Sequence, residues 1–237
     1  MSAPEAATSP STRAQGVLDT RRALERWDAD PGRVLGPWFA WGLVLALALL
    51  ASVWLVSLFA NPDPVGAFIP GEPNPAEIAR ILTNNLLVLA LHATACVAGF
   101  IAGSSLRHDV ARRTGLSRLV HEKAGQVAIA WVVLATAFSL VTQALTLGAQ
   151  GATLADELGI SSLTLIVTAL PHALLELTAI FLPLAAFLIA SRRDQWSDLL
   201  AATLVTVSLA LPMLVAAAVI EVYVWPELLI SVSPFLP

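Results

Sequence analysis

Apolar positions along this chain gather into five long runs separated by short polar stretches. Trp38 to Ala60, Arg80 to Gly103, Gly125 to Gly148, about Ser161 to Ala190, and Leu199 to Trp225 all exceed the roughly 18 residues that mark a membrane span. A backbone in lipid has to satisfy its own hydrogen bonds, so runs of this kind predict helices. The expected fold is all-α: a polytopic transmembrane helical bundle of about five spans. Residues 1–36 are polar and read as a tail, and residues 37–237 as the bundle. Within the tail, Ser2 to Ser11 has the composition of a disordered segment. Val17, Leu18, Leu24 and Trp27, interleaved with arginines, predict a short helix lying on the membrane surface. The loop Arg107 to Lys123 is similar to it. No apolar signal core precedes Trp38, so the first run reads as an uncleaved anchor. Asn61 to Pro75 contains five prolines and reads as a stiff connection.

The fourth run is longer than a span requires. As a straight helix its 30 residues would reach about 45 Å, against a hydrocarbon core of about 30 Å. Proline favours the first position of a helix, so a break at Pro171 is expected. Ser161 to Leu170 would then be an interfacial or re-entrant half-helix, leaving a broken fourth helix whose new N-terminus points into the bundle and attracts anions.

Composition agrees with the pattern: 57% of residues are hydrophobic and 13% charged. Every basic residue except Arg80 falls in the tail, in the second connection (Arg107, Arg112, Arg113, Arg118, Lys123) or in the fourth (Arg192, Arg193). The positive-inside rule therefore places the N-terminus in the cytoplasm and, after five crossings, the C-terminus outside. The basic clusters read as topology signals that also touch anionic lipid, which makes the bilayer the first partner. No Walker or dinucleotide fingerprint is present, and nucleic acid is not an expected ligand. The single cysteine, Cys96, lies in an apolar run, so no intrachain disulfide forms.

Polar residues inside the runs are the candidate chemistry, because an ionisable side chain at membrane depth costs at least about 2.5 kcal/mol. Counted from the cytoplasmic helix ends at about 1.5 Å per residue, Glu176 lies roughly 22 Å up, Asn84, Asn85 and Gln143 roughly 27 Å, and Glu221 roughly 33 Å. His172 falls beside them and Arg80 just above. Helical phase points the same way. Asn85, His92, Cys96, Gly99 and Gly103 share one stripe; His172, Glu176, Ala179, Pro183, Ala186 and Ala190 a second; Thr203, Ala210, Leu214, Ala217 and Glu221 a third. The cluster His172, Glu176, Glu221, Asn84, Asn85, Gln143 and Arg80 either binds something at the outer leaflet or only hydrogen-bonds helices together. Arg80 is expected to cap it, pairing with Glu176 or Glu221. No metal or other cofactor is expected.

Leu170-Pro171-His172-Ala173-Leu174-Leu175-Glu176-Leu177-Thr178-Ala179-Ile180-Phe181, then Pro212 and Ala218-Val219-Ile220-Glu221-Val222-Tyr223-Val224-Trp225-Pro226, together with Ile81-Leu82-Thr83-Asn84-Asn85-Leu86-Leu87-Val88, resemble the stage II sporulation protein M family. Pro171, His172, Glu176 and Glu221 match its Pro-His-x-x-x-Glu core and late-span glutamate. Ala173 stands where the family usually has glycine and Thr178 where proline is frequent. The resemblance covers the second span and the C-terminal part of the chain. It implies a multi-pass protein of the bacterial cytoplasmic (inner) membrane, similar to a namesake that helps assemble a peptidoglycan-degrading complex during forespore engulfment.

On that resemblance the leading expectation is a non-catalytic membrane scaffold or assembly factor for cell-envelope machinery. Its partners would be membrane or cell-wall-associated proteins, with a second copy of the chain among the candidates. The alternative is a permease-like transporter subunit for a lipid-linked or ionic substrate, since broken helices beside buried carboxylates recur in transporters. A third is a metal-dependent intramembrane enzyme, because His172 and Glu176 have i, i+4 ligand spacing that Glu221 or His92 would complete.

Overall fold

The membrane helices begin where the chain places a capping side chain. Asp30 and Asn74 each precede a proline, whose missing N–H is harmless in a first turn. Asp30 Oδ1 accepts from Arg33 N at 3.2 Å and Asn74 Oδ1 from Ala76 N at 2.9 Å. Ser161 Oγ accepts from Thr164 N at 3.0 Å. A computed structural model describes residues 12–62, 74–105 and 116–236. They form α1 (Thr12–Asp28), α2 (Pro31–Ser57), α3 (Pro75–Phe100, continued by a π-helical turn Ile101–Ser105), α4 (Leu116–Glu157), α5 (Ser162–Arg192), a 3-10 turn (Trp196–Asp198), α6 (Leu199–Tyr223) and α7 (Trp225–Val232). Among the described residues there is no strand, and five helical stretches are long and apolar enough to cross a membrane. The protein is a multi-pass helical membrane protein.

α5 occupies the centre, packed against α2, α3 and α6, while α4 reaches the bundle mainly through α2 and α3. Burial follows that order: 67% of the most apolar window of α5 is buried, but only 22% of the corresponding windows of α2 and α4. The outer helices turn large apolar side chains away from the protein, Trp131, Leu134 and Phe138 of α4 among them, as lipid-facing surfaces must.

Several span boundaries differ from those predicted. α2 starts at Pro31 rather than Trp38, because the Asp30 cap and Pro31 initiate it. α4 passes Gly148 and ends at Glu157. Gly148 is no terminator: a Cβ there would sit 2.6 Å from the Val56 side chain and 2.9 Å from the Val53 carbonyl, so its bare backbone is what lets α4 approach α2. The true stop is Gly159, with φ 64°, where Ile160 N donates to Ala155 O at 3.0 Å in a left-handed helix ending.

The predicted break at Pro171 is absent. α5 is one continuous helix from Ser162 to Arg192 with Pro171 and Pro183 inside it, and Ser161 to Leu170 is neither a re-entrant nor a separate half-helix. The ring of Pro171 lies on the exposed face of α5, where it forfeits a single backbone hydrogen bond, whereas a break would strip a whole turn of its partners. Thirty-one residues make a helix of about 46 Å, a length that a membrane accommodates by tilt.

Pro183 is handled differently. The proline removes the helical donor to the Ala179 carbonyl, four residues before it, and His92 Nδ1 of α3 lies 3.1 Å from the next carbonyl, that of Ile180. One turn along α3, Cys96 Sγ donates to the Pro183 carbonyl at 3.1 Å. The predicted stripes of α3 and α5 thus meet at a polar seam. Lower on α3, Gly99 faces Leu199 and Phe187, and Gly103 faces Trp196, so the Gly99-x-x-x-Gly103 spacing receives side chains rather than a second small-residue helix.

A helix forms in the tail where one was predicted, as α1. It packs on α6 and on the Trp196–Asp198 turn, held by Arg26 Nη2 to Asp198 Oδ1 at 2.7 Å and by Trp27 edge-on to Trp38 with ring centres 5.2 Å apart. Ser2 to Ser11 lies outside the described residues, as do residues 63–73 and 106–115 of the two predicted loops. From Leu116 the second of these loops is already α4.

Candidate functional site

At the end of the bundle opposite α1, residues from α2, α4, α5, α6 and α7 line a partly open cavity of about 350 Å³. Leu49, Leu50 and Val53 of α2 and Leu147 and Leu154 of α4 give it an apolar wall. His172 and Glu176 of α5 and Glu221 of α6 give it a polar side. The i, i+4 spacing on α5 puts His172 and Glu176 on one face, and Glu221 comes within electrostatic range of Glu176 from α6. Three of the predicted residues therefore do converge.

His172 is 7% exposed, and its Nδ1 is buried without a hydrogen-bond partner. Its ring packs against the indole of Trp225, centres 5.2 Å apart, and Trp225 Nε1 donates to Thr168 Oγ1 at 3.3 Å. Asn85 of α3 faces Glu176, but its buried Nδ2 finds no acceptor in hydrogen-bonding geometry. Two polar groups in one region are thus buried without a partner, which native interiors rarely tolerate.

Three predicted members stand elsewhere. Asn84 is exposed, because one residue along a helix is a rotation of about 100° and only its neighbour Asn85 turns inward. Gln143 donates to Ser139 Oγ of its own helix at 2.9 Å; α4 extends farther than predicted, so Gln150, two turns on along the same face, lines the cavity instead. Arg80 does not pair with either cavity carboxylate. Its Nε binds Glu77 Oε2 at 2.7 Å, one turn away on α3, and it acts on Glu221 only across space. A pair formed within one helix keeps Arg80 exposed and spares it the desolvation that a buried carboxylate would impose. Pro171 belongs to α5 as an internal proline and presents no helix end to the site.

Trp225, Thr168 and Gln150 complete the site and were not singled out from sequence. Spacing held the signal for each: Trp225 lies four residues after Glu221, Thr168 four before His172, and Gln150 seven after Gln143. His172 and Glu176 have the spacing of metal ligands, yet among the described residues no group of three or more His, Cys, Asp or Glu is placed to hold a metal ion.

The Stage II sporulation protein M family model matches residues 39–226, which takes in most of α2, all of α4 and the whole cavity as well as the segments that carry the resemblance. The chain belongs to the stage II sporulation protein M family. No curated protein and no solved structure matches it. The matched segment ends at Pro226, one residue after Trp225, so every cavity residue of this stage II sporulation protein M member lies within the family's own span. α1 and most of α7 lie outside it.

Proposed function

We propose that this protein is a non-catalytic scaffold or assembly factor for envelope machinery, including peptidoglycan remodelling, in a bacterial cytoplasmic membrane. The N-terminus lies in the cytoplasm and the cavity opens on the outer side. The single observation that carries the reading is the convergence of His172, Glu176 and Glu221 from two helices on one partly open cavity, with His172 Nδ1 left without a partner. His92, whose Nε2 is also without a partner, bonds the Ile180 carbonyl through Nδ1 away from this cavity, whereas His172 Nδ1 belongs to a residue that lines it. Membership of a family named for sporulation supplies the cellular setting.

A photoreactive residue at Gln150, on the rim of the cavity, tests this. Cross-links to membrane or cell-wall-associated proteins are expected, together with their loss when Glu176→Gln is added. Solute flux through liposomes holding the purified protein, with no partner captured, would instead establish the permease-like reading. That second reading is favoured by one feature, a polar-lined cavity within a membrane bundle.

A further inference from the structure

We propose that the cavity takes the ammonium headgroup of a bilayer amphiphile, an aminophospholipid, whose hydrocarbon lies along the leucine wall. The inference rests on reading the cavity as a binding site and names the class of ligand.

Charge comes first. Among the described residues, Glu176 and Glu221 have no ion-pair partner, and Arg80, which acts on Glu221 across space, is bound to Glu77. Two carboxylates close together at membrane depth favour a positive guest over a neutral or negative one. A primary ammonium brings three N–H donors and no acceptor. The side chains around the polar half of the cavity offer acceptors in the same region: Glu176, Glu221 and the unpartnered Nδ1 of His172, when that ring carries its proton on Nε2. The indole of Trp225 adds an aromatic surface of the kind that attracts cations.

Shape and placement then select a lipid over a water-borne amine. The apolar wall belongs to α2 and α4, the two least buried membrane helices. Leu147 lines the cavity and is also 44% exposed, so the apolar wall reaches the outer surface of α4 there. α4 makes far less contact with α5 than α2 does, which makes the seam between α4 and α5 the route of entry in this proposal. An amphiphile moving within the leaflet reaches the carboxylates by that route with its chains still in hydrocarbon, whereas a soluble cation would have to cross an apolar rim.

The test uses the full chain in a non-ionic detergent, with phosphatidylethanolamine and phosphatidylglycerol of identical acyl chains as probes and retained lipid read by native mass spectrometry. The amine lipid should be retained about tenfold more strongly than its amine-free counterpart, as expected for one or two charge-assisted hydrogen bonds. The preference should vanish in a Glu176→Gln/Glu221→Gln variant that still elutes as a single species. Equal retention of the two lipids by the unmodified protein would overturn the proposal without reference to any variant. An undiminished preference in the folded double variant would do the same. Cross-links from position 150 to a protein partner without any amine-lipid preference would sink the lipid while leaving the scaffold reading standing. Amine-lipid preference with no partner cross-link would support the lipid and remove the scaffold.

Discussion

Two histidines in the interior show how one residue type serves two ends. His92 is fully buried and its Nδ1 lies against the Ile180 carbonyl of α5, so it is part of the helix contact. His92→Leu should lower unfolding stability by about 0.5–1.5 kcal/mol, the usual net worth of one hydrogen bond. Thermal unfolding in detergent reads this directly. His172 has no partner at Nδ1 and borders a cavity, so His172→Gln should leave the melting temperature nearly unchanged while abolishing complementation of a null strain. Glu176→Gln should do the same. If both variants complement normally, the pair is a structural lock, with effects near the roughly 0.6 kcal/mol typical of interhelical polar contacts. The residue pattern alone marked both histidines as candidates. It was the cavity beside His172, and the Ile180 carbonyl beside His92, that separated them.

Helices in this bundle tolerate proline according to the face on which the ring falls. Pro171 points outward and Pro183 inward, and α5 stays continuous through both. Pro171→Ala should therefore restore one hydrogen bond and be neutral or stabilising by up to about 1 kcal/mol, with function retained. Loss of function in that variant would mean that α5 does break there in the working protein. Glycines mark where helices touch. A Cβ at residue 99 would lie 2.7 Å from Leu199 Cδ1 and 2.9 Å from Phe187 Cε2, so Gly99→Ala should destabilise by about 1–3 kcal/mol through overpacking. A melting curve that matches the unmodified protein would show that these two side chains swing aside freely.

Among the described residues five helices of spanning length form a bundle with α5 as its axis, and α1 is fastened to one end by Arg26 and Asp198. That pair is half-exposed on the arginine side, so Asp198→Asn should change global stability by less than about 1 kcal/mol. It should nevertheless release α1, read as faster cleavage of the N-terminal region by added protease. Topology is tested by reporters fused at each terminus. With the N-terminus inside and five crossings, a reporter after Pro237 is extracytoplasmic. Cytoplasmic activity there would turn the cavity toward the other face of the membrane and remove the envelope-facing part of the proposed function.

Apolar run length was enough to count the spans, because a membrane imposes its thickness on every stretch of chain independently of how helices pack. Helical period was enough to choose Asn85, His172, Glu176 and Glu221 and to place them on inward faces, for the same local reason. The helix ends, the continuity at Pro171, the exchange of Gln143 for Gln150 and the partner of Arg80 were decided only in three dimensions. Each depends on what stands opposite: Val53 and Val56 turn Gly148 from a stop into a contact, Glu77 on the same helix competes for Arg80, and the extra turns of α4 carry Gln150 rather than Gln143 to the cavity. Trp225 is the plainest case. From sequence it is an aromatic at the membrane boundary; the start of α7 brings it over His172, because the chain leaves α6 at Val224 and re-enters a helix at once.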